Sequence, residues 1–347
     1  MKSLSTIHWK PLLALALVLI LIHILLIHED VGFHRDEFLY LALGNHLDFG
    51  YWSNPPFIGF IAFLAQNLLG DGLLAIRLPS IIASGGLVLL GGLIAREMGG
   101  GRYAQILAAI TIILSPANLR AFSMLMPVPF DIFFWTLVIY FLLKYINTNQ
   151  PKYMLWLGLV VGFGMLNKYS LVFLVTGLAV AFLFSQHRNK IFLKKQTWIA
   201  VGLSLVIFLP NLIWQIKYNF PVISHMSELM GGQLVNVHPI HFMVDQLWMQ
   251  FICLLVWIPG LFYLLLSPKM SAYRFVVHFY IATVFLFLLM SGKSYYTLGM
   301  YPMLLAAGAV YWEGRLSTTW TRIALPSFLI LGTLPGLPIG RAIFPLE

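Results

Sequence analysis

Apolar residues run along this chain in long blocks separated by short polar stretches. A block of about 20 is what a membrane-spanning helix needs. Blocks at roughly 10–28, 76–96, 103–119, 130–146, 153–167, 169–185, 197–214, 247–266, 275–291, 298–313 and 323–340 predict about eleven transmembrane helices. The first follows Lys2 and Lys10 and ends in Leu-Ile-His-Glu-Asp, with no small-x-small cleavage site. It therefore reads as an uncleaved first helix rather than a signal peptide. Two further apolar stretches are too short to span. Asp36–Leu47 places Leu39, Ala42, Leu43 and Leu47 on one helical face, and Pro56–Gly70 is continuously apolar. Both read as helices lying in the membrane interface, with Asn54-Pro55-Pro56 stopping one and starting the next. The first outer loop, about 29–75, is thus expected to be long and structured, and a second covers about 215–246.

Composition agrees with this pattern. The chain has 347 residues, 60% of them hydrophobic and only 10% charged, with a mean hydropathy of +0.87. That is an all-α polytopic membrane protein, read as a single transmembrane domain over 1–347 with no separate soluble domain. The net charge of +9 does not mark a nucleic-acid binder, because the cations are dispersed among apolar segments with no basic stripe. Cys253, the one cysteine, sits in an apolar run and reads as a small buried hydrophobe.

Charge also orients the chain. With the N-terminus in the cytoplasm and the spans alternating, fourteen of the 21 Lys and Arg fall inside: 2, 10, 96, 102, 144, 152, 188, 190, 194, 195, 269, 274, 315 and 322. That satisfies the positive-inside rule. Ten of the twelve acids fall outside, with Glu97 and Glu313 the exceptions. The rule does not ask for that bias, so the outer acids invite a functional reading.

The densest polar cluster is His34-Arg35-Asp36-Glu37, with Tyr40 one turn beyond Asp36. A carboxylate here can deprotonate an acceptor hydroxyl as it attacks a sugar carbon; the alternative is a salt bridge with Arg35 or a solvated loop acid. Asn167-Lys168 places a cation between two apolar helices, where an ionisable group is costly, although a lysine near a helix end can also snorkel to water. Gly292-Lys293-Ser294-Tyr295-Tyr296 offers a cation, a hydroxyl and two phenols. These suit a phosphate and a sugar or lipid, or equally a capped turn in an aromatic belt. Asp131 is either an N-terminal helix cap or a second acid facing the cavity, and Arg120 is placed to pair with it or to contact phosphate. Tyr51, Trp52, Trp214 and Trp248 read as interfacial anchors ahead of sugar-stacking platforms. Among the histidines, His238-Pro239-Ile240-His241 makes no complete metal site, and no HExxH or Cys/His cluster occurs. A divalent ion on outer acids and histidines stays open but is not demanded.

Read in order, HRDEFLYLALGNHLDFGYWSNPPF, IRLPSIIASGGLVLLGGLIAREMGGG, PFDIFFW, GFGMLNKYS and GKSYYTLGMYPMLLAAGA resemble the bacterial branch of glycosyltransferase family 39. That branch is related to protein O-mannosyltransferases and to the lipid A aminoarabinose transferase. The resemblance is collinear from about residue 30 to residue 312. It implies the GT-C membrane fold, a polyprenyl-phosphate-linked sugar as donor, and an active site on the outer, periplasmic face of the bacterial plasma membrane. By the same resemblance Asp36 matches the catalytic base of the first outer loop and Glu37 its acidic neighbour. Asp131 falls near a second acidic position, and Lys168 and Lys293 match cations that bind the donor phosphate. His34, Arg35, Tyr40, Arg120, Asn167, Tyr295 and Tyr296 complete the expected substrate site. The aminoarabinose branch carries Lys before the Pro-Pro where this chain has Asn54, so its donor chemistry need not transfer.

The implied reaction is a single in-line displacement with inversion, needing no cofactor. Lys168, Lys293 and Arg35 would stabilise charge on the departing lipid phosphate while Asp36 takes the acceptor proton. The acceptor is a membrane lipid, a protein or a wall polymer, and no nucleic acid is involved. Two other classes compete. A lipid-linked sugar flippase would want ions through the middle of the membrane, where this chain has His23 as the main exception, and internal repeats. A non-catalytic scaffold would tolerate Asp36→Asn.

Overall fold

The computed structural model describes residues 5–27, 32–232 and 234–336, and these are helical with no strand among them. In chain order the helices are α1 (Trp9–Leu25), α2 (Arg35–Asn45), α3 (Phe57–Leu69), α4 (Leu73–Glu97), α5 (Arg102–Leu114), α6 (Pro116–Ala121), α7 (Pro127–Thr148), α8 (Lys152–Asn167) and α9 (Leu171–Leu183). They continue as α10 (Arg188–Phe192), α11 (Lys195–Lys217), α12 (Pro221–Gly232), α13 (Pro239–Trp248), α14 (Leu254–Leu266), α15 (Phe275–Leu289), α16 (Tyr301–Arg315) and α17 (Thr319–Thr333). Short 3-10 turns fill several joints, the most consequential being Ser294–Met300. Residue 28 of the first expected span, 29–31 of the first expected outer loop and 337–340 of the last expected span lie outside the described residues.

Each of the eleven apolar blocks carries a helix, but their lengths differ from the expectation. Among the described residues, α4, α7 and α11 alone are long and apolar enough, by length and composition, to cross a membrane. A fourth candidate is α13 joined to residues 251–266, bent by 87°. The shortfall has local causes. Ser115-Pro116 breaks the block at 103–119: the Ser115 hydroxyl accepts from the Asn118 N–H and starts α6 instead of continuing α5. Phe251 takes a left-handed φ of 43° at the bend between α13 and α14, a conformation that costs a bulky residue energy and survives only where packing enforces it. Short helices of this kind are tolerated at membrane depth where their ends are buried in protein.

One large core joins α1, α4, α5, α7, α9 and α14–α16, with Trp135, Phe279, Phe287 and Tyr301 fully buried. Helices α14 and α16 run parallel and touch backbone to backbone. A Cβ on Gly308 would lie 1.9 Å from the Val256 carbonyl oxygen, and one on Gly260 would lie 2.3 Å from that of Leu304. A smaller core of Ile58, Ala62, Ala65, Ile76, Leu125 and Phe130 fastens α2 and α3 to the N-terminal ends of α4 and α7. Leu39 and Ala42 on α2, and Leu47 just beyond it, are exposed, while the helix buries Glu37 and Gly44 against the bundle.

The two ends of the bundle are chemically distinct. At the end holding the α4 C-terminus, Glu97 is wholly buried and accepts from Arg96 at 2.6 Å, Lys144 at 3.2 Å and Asn147 at 3.0 Å. The opposite end holds α2, the starts of α4 and α7, the end of α8 and the 294–300 turn. It gathers the residues singled out above.

Candidate active site

His34 is the N-cap of α2. Its Nδ1 accepts from the Asp36 N–H at 3.2 Å, and Glu37 reaches back to the His34 N–H at 2.8 Å, closing a capping box. This local device fixes the directions of the two acids, and they take opposite environments. Asp36 is 41% exposed, and among the described residues its carboxylate pairs with Arg35 at 3.2 Å, which is itself 89% exposed. Such a pair contributes little and leaves the carboxylate reachable. Glu37 is fully buried. Arg77 Nε donates to its Oε1 at 2.9 Å and Nη2 to its Oε2 at 2.6 Å, while the Leu125 N–H donates to Oε1 at 2.9 Å. Arg77 also donates to the Gly32 carbonyl at 2.9 Å. Glu37 was expected to face substrate, but the structure gives its oxygens to a bidentate arginine and two backbone amides. It holds the start of α4 and the 125 segment against α2.

Asp131 is not a helix cap: α7 begins at Pro127, with Met126 as its N-cap, so Asp131 lies one turn inside. It accepts from Trp135 Nε1 at 3.0 Å and Ser170 Oγ at 3.2 Å. Its ion-pair partner is Lys168 at 3.8 Å rather than Arg120. Lys168 caps α8 in an extended conformation. Its Nζ is buried with no hydrogen-bond acceptor in reach, 4.2 Å from the centre of the Tyr296 ring and 5.4 Å from that of Tyr295. Asn167 donates to the Pro127 carbonyl at 3.0 Å and so tethers α8 to the start of α7, while its buried Oδ1 finds no partner.

The tyrosines join the two halves. Tyr295 and Tyr296 pack edge to face at 4.7 Å. Burial, and behind it Asp36 and Tyr296, push the Tyr40 phenol well above its ordinary value. Burial, Tyr296, Tyr40 and Asp36 do the same to Tyr295. Both phenols therefore stay protonated and able to donate. Tyr295 thus links the two charges: it lines the same cavity as Asp36 and its ring lies 5.4 Å from the Lys168 Nζ.

Three cavities surround this centre. One of about 480 Å³ is lined by His34, Asp36, Arg120, Trp248 and Tyr295. A second of about 360 Å³ is lined by His238, His241, Asp245, Lys293 and Tyr295. Tyr295 and Met249 belong to both. Lys293 is the N-cap of the 294–300 turn, and Ser294 donates to Asp245 on α13. The third, of about 350 Å³, is almost wholly apolar, with Phe49, Phe57, Phe60, Phe163, Leu166 and Pro210 in its walls, and it ends two residues short of Lys168. Among the described residues no three His, Cys, Asp or Glu side chains converge as a metal set.

All twelve residues expected at the site fall within the described region, and ten surround this centre or its cavities. Arg35 is an exposed partner of Asp36, and Glu37 is part of the support beneath. Arg77 was missed. A lone cation opening an apolar block invites the argument used for Lys168, but nothing in the sequence pairs it with an acid 40 positions earlier. The support given by α11 was missed as well. Trp214 donates to Asp48 at 2.7 Å, Asn211 to the Phe49 carbonyl at 2.7 Å, and Tyr169 to Asn211 at 3.1 Å. Trp214 and Tyr51, which donates to the Leu43 carbonyl, therefore brace the 48–51 loop. Trp52 and Trp248 stay more than half exposed.

Comparison with known proteins follows the same lines. Residues 53–214 match the family model described as dolichyl-phosphate-mannose-protein mannosyltransferase. A curated relative, the lipid A galacturonosyltransferase RgtD of Rhizobium johnstonii, is 28% identical over 214 residues, covering 59% of this chain and 43% of its own length. ArnT from Cupriavidus metallidurans, solved bound to undecaprenyl phosphate, superposes with a TM-score of 0.69 at 17% identity, over 94% of this chain and 64% of that one. The Archaeoglobus fulgidus oligosaccharyltransferase, solved with a tethered acceptor peptide, gives 0.63 at 14% identity, over 96% of this chain and 55% of that one. At those identities the solved structures speak for the fold. The match spans less than half the length of the curated relative.

Proposed function

We propose, from the premise that the family match, the curated relative and the solved neighbours all fit the GT-C glycosyltransferases, that this chain moves a sugar from a polyprenyl-phosphate donor to an acceptor at the outer face of the bacterial plasma membrane. One observation carries the reading. Lys168 is a buried cation with no hydrogen-bond acceptor among the described residues: Asp131 stands 3.8 Å away, two tyrosine rings face it, and Phe163 and Leu166, just before it in the chain, line an apolar groove. One carboxylate at that distance leaves the N–H groups without acceptors, and the groove suits a hydrocarbon tail. A lipid phosphate supplies both.

On this reading the prenyl tail lies in the groove between α3, α8 and α11, and its phosphate meets Lys168 and Lys293. Asp131 keeps Lys168 aimed through its 3.8 Å contact. As the sugar–oxygen bond breaks, charge grows on the phosphate. The cations and the protonated Tyr295 and Tyr296 stabilise it in a poorly hydrated site, where such contacts contribute most. The acceptor enters through the cavity shared by His34, Asp36 and Arg120. Asp36, the exposed acid of the pair, accepts its proton from the far side of the sugar, which inverts the anomeric centre. Helices α2 and α3 lie in the outer interface, and the N-terminus stays in the cytoplasm.

The test is transfer by purified protein in liposomes, with a radiolabelled polyprenyl-phosphate sugar and an envelope extract as acceptor. Asp36→Asn is expected to lower transfer by roughly 10²–10⁴-fold while donor still binds. Lys168→Gln is expected to weaken donor binding itself. Transfer undiminished in Asp36→Asn would remove the base assignment. Donor bound by wild type but carried across the bilayer without transfer would point to a lipid-sugar transporter.

A further inference from the structure

A fourth cavity, of about 710 Å³, opens at the other end of the bundle between α14 and α16. Its origin is geometric. The two helices cross in backbone contact at Gly260 and Gly308. One turn further on, Tyr263 and Tyr311 stand with ring centres 5.7 Å apart and wedge the helices open. The gap beyond is lined by Phe262, Leu266, Ser267, Lys269 and Arg315. Arg315 lies 14 residues beyond Tyr301, where the active end begins. At 1.5 Å per residue this is about 21 Å along α16, so the cleft is separate from the site above.

Charge at this cleft is uncompensated. Lys269 and Arg315 are exposed and make no ion pair among the described residues, Arg315 lying instead 5.4 Å from the Tyr311 ring centre. The two acids that this end holds among the described residues are committed elsewhere. Glu97 is buried among Arg96, Lys144 and Asn147. Glu313, two residues from Arg315, accepts from the Gly101 N–H at 2.6 Å and the Ala104 N–H at 3.1 Å, closing the start of α5. Beside the cations the wall is apolar and turned outward, with Phe262 and Leu266 more than half exposed. Two cations, a hydroxyl and two phenols at the mouth of an apolar, outward-facing cleft match a phosphodiester with acyl chains attached. A fully soluble anion would leave the apolar wall unused.

We propose that the α14–α16 cleft binds the headgroup of an anionic phospholipid from the leaflet at that end, with Lys269 and Arg315 on the phosphate and the acyl chains along Phe262 and Leu266. The inference is independent of the transfer reaction. Basic pockets between membrane helices bind acidic headgroups in this way.

The test is native mass spectrometry of detergent-purified protein with equal phosphatidylglycerol and phosphatidylcholine. Wild type is expected to retain phosphatidylglycerol by roughly tenfold over phosphatidylcholine, as two cations near the headgroup imply. The double variant Lys269→Gln/Arg315→Gln should fall close to parity. The control Lys194→Gln/Lys195→Gln, which removes two charges at the start of α11, should keep the preference. Gly314→Leu is a variant that leaves every charge in place. A Cβ at Gly314 meets open space, so the leucine fills the cleft and should also lower retention while the protein melts as wild type does. Equal loss in both charge pairs would mean generic surface attraction and overturn the site, as would wild-type retention in Lys269→Gln/Arg315→Gln. Displacement of the lipid by millimolar inorganic phosphate alone would assign the cleft to a soluble anion instead.

Discussion

Two adjacent carboxylates, Asp36 and Glu37, show how far a residue's role depends on its partners. They share a helix turn and a capping box, yet one faces a cavity and the other is locked by Arg77. The lock predicts a specific failure. Removing one member of a buried ion pair leaves the other uncompensated and costs about 3–5 kcal/mol. Glu37→Gln and Arg77→Met should therefore each lower the melting temperature and the yield of folded protein, whereas Asp36→Asn should melt like wild type. Equal thermal stability in all three would dissolve the distinction between supporting and reacting acid. Sequence reasoning found the cluster but not this division of labour. His34-Arg35-Asp36-Glu37 stands out as polarity in an apolar chain, while the arginine that separates the two roles lies in Ile-Arg-Leu-Pro-Ser, with no acid beside it in the chain to pair it with.

At the scale of elements, the apolar blocks were legible because burying a long helix in lipid or in a core demands a long apolar run. What the blocks concealed was where each helix breaks. Pro116 gave a warning, since proline ends helices. Phe251 gave none, because the left-handed turn there follows from packing of α13 against the 294–301 segment, through Gln246 with Thr297 and Tyr301. The face of α2 that meets the bundle left no hydrophobic mark. Periodicity picks out Leu39 and Leu47, whereas the Arg77 contact and the close approach of Gly44 to Phe63 on α3 turn the opposite face inward. The α14–α16 crossing carries the clearest prediction of this kind. With a Val256 carbonyl oxygen 1.9 Å from where a Cβ would sit, Gly308→Leu must push the helices apart. Loss of monodispersity in detergent, together with a melting temperature several degrees below wild type, is the expected result. Wild-type melting would show that the crossing yields easily.

For the whole molecule, the candidate site residues gather at one end and the buried Glu97 and Glu313 contacts at the other, and the long apolar helices join them. This arrangement fixes a direction that can be measured. Cys253 is fully buried and gives a silent background. A cysteine at Asp71, in the exposed loop before α4, should react with a membrane-impermeant maleimide on intact cells. One at Gln150, exposed at the opposite end, should react only after the membrane is opened. The reverse pattern would put the tyrosine-lined centre on the cytoplasmic side and overturn the proposed use of an outward-facing donor.

The Glu37 contacts also set a timetable for biogenesis. Glu37 is synthesised 40 residues before Arg77 and 88 residues before Leu125, and it needs both. At about 5–20 residues per second those 88 residues take roughly 4–18 s to emerge from the ribosome. Over the first 40 of those residues the acid has neither partner, and until residue 125 emerges it has Arg77 alone. The cradle beneath Asp36 is thus closed late, by a backbone amide from beyond α6, and a nascent chain halted before residue 125 has the capping box and Arg77 but lacks the amide that completes the Glu37 contacts.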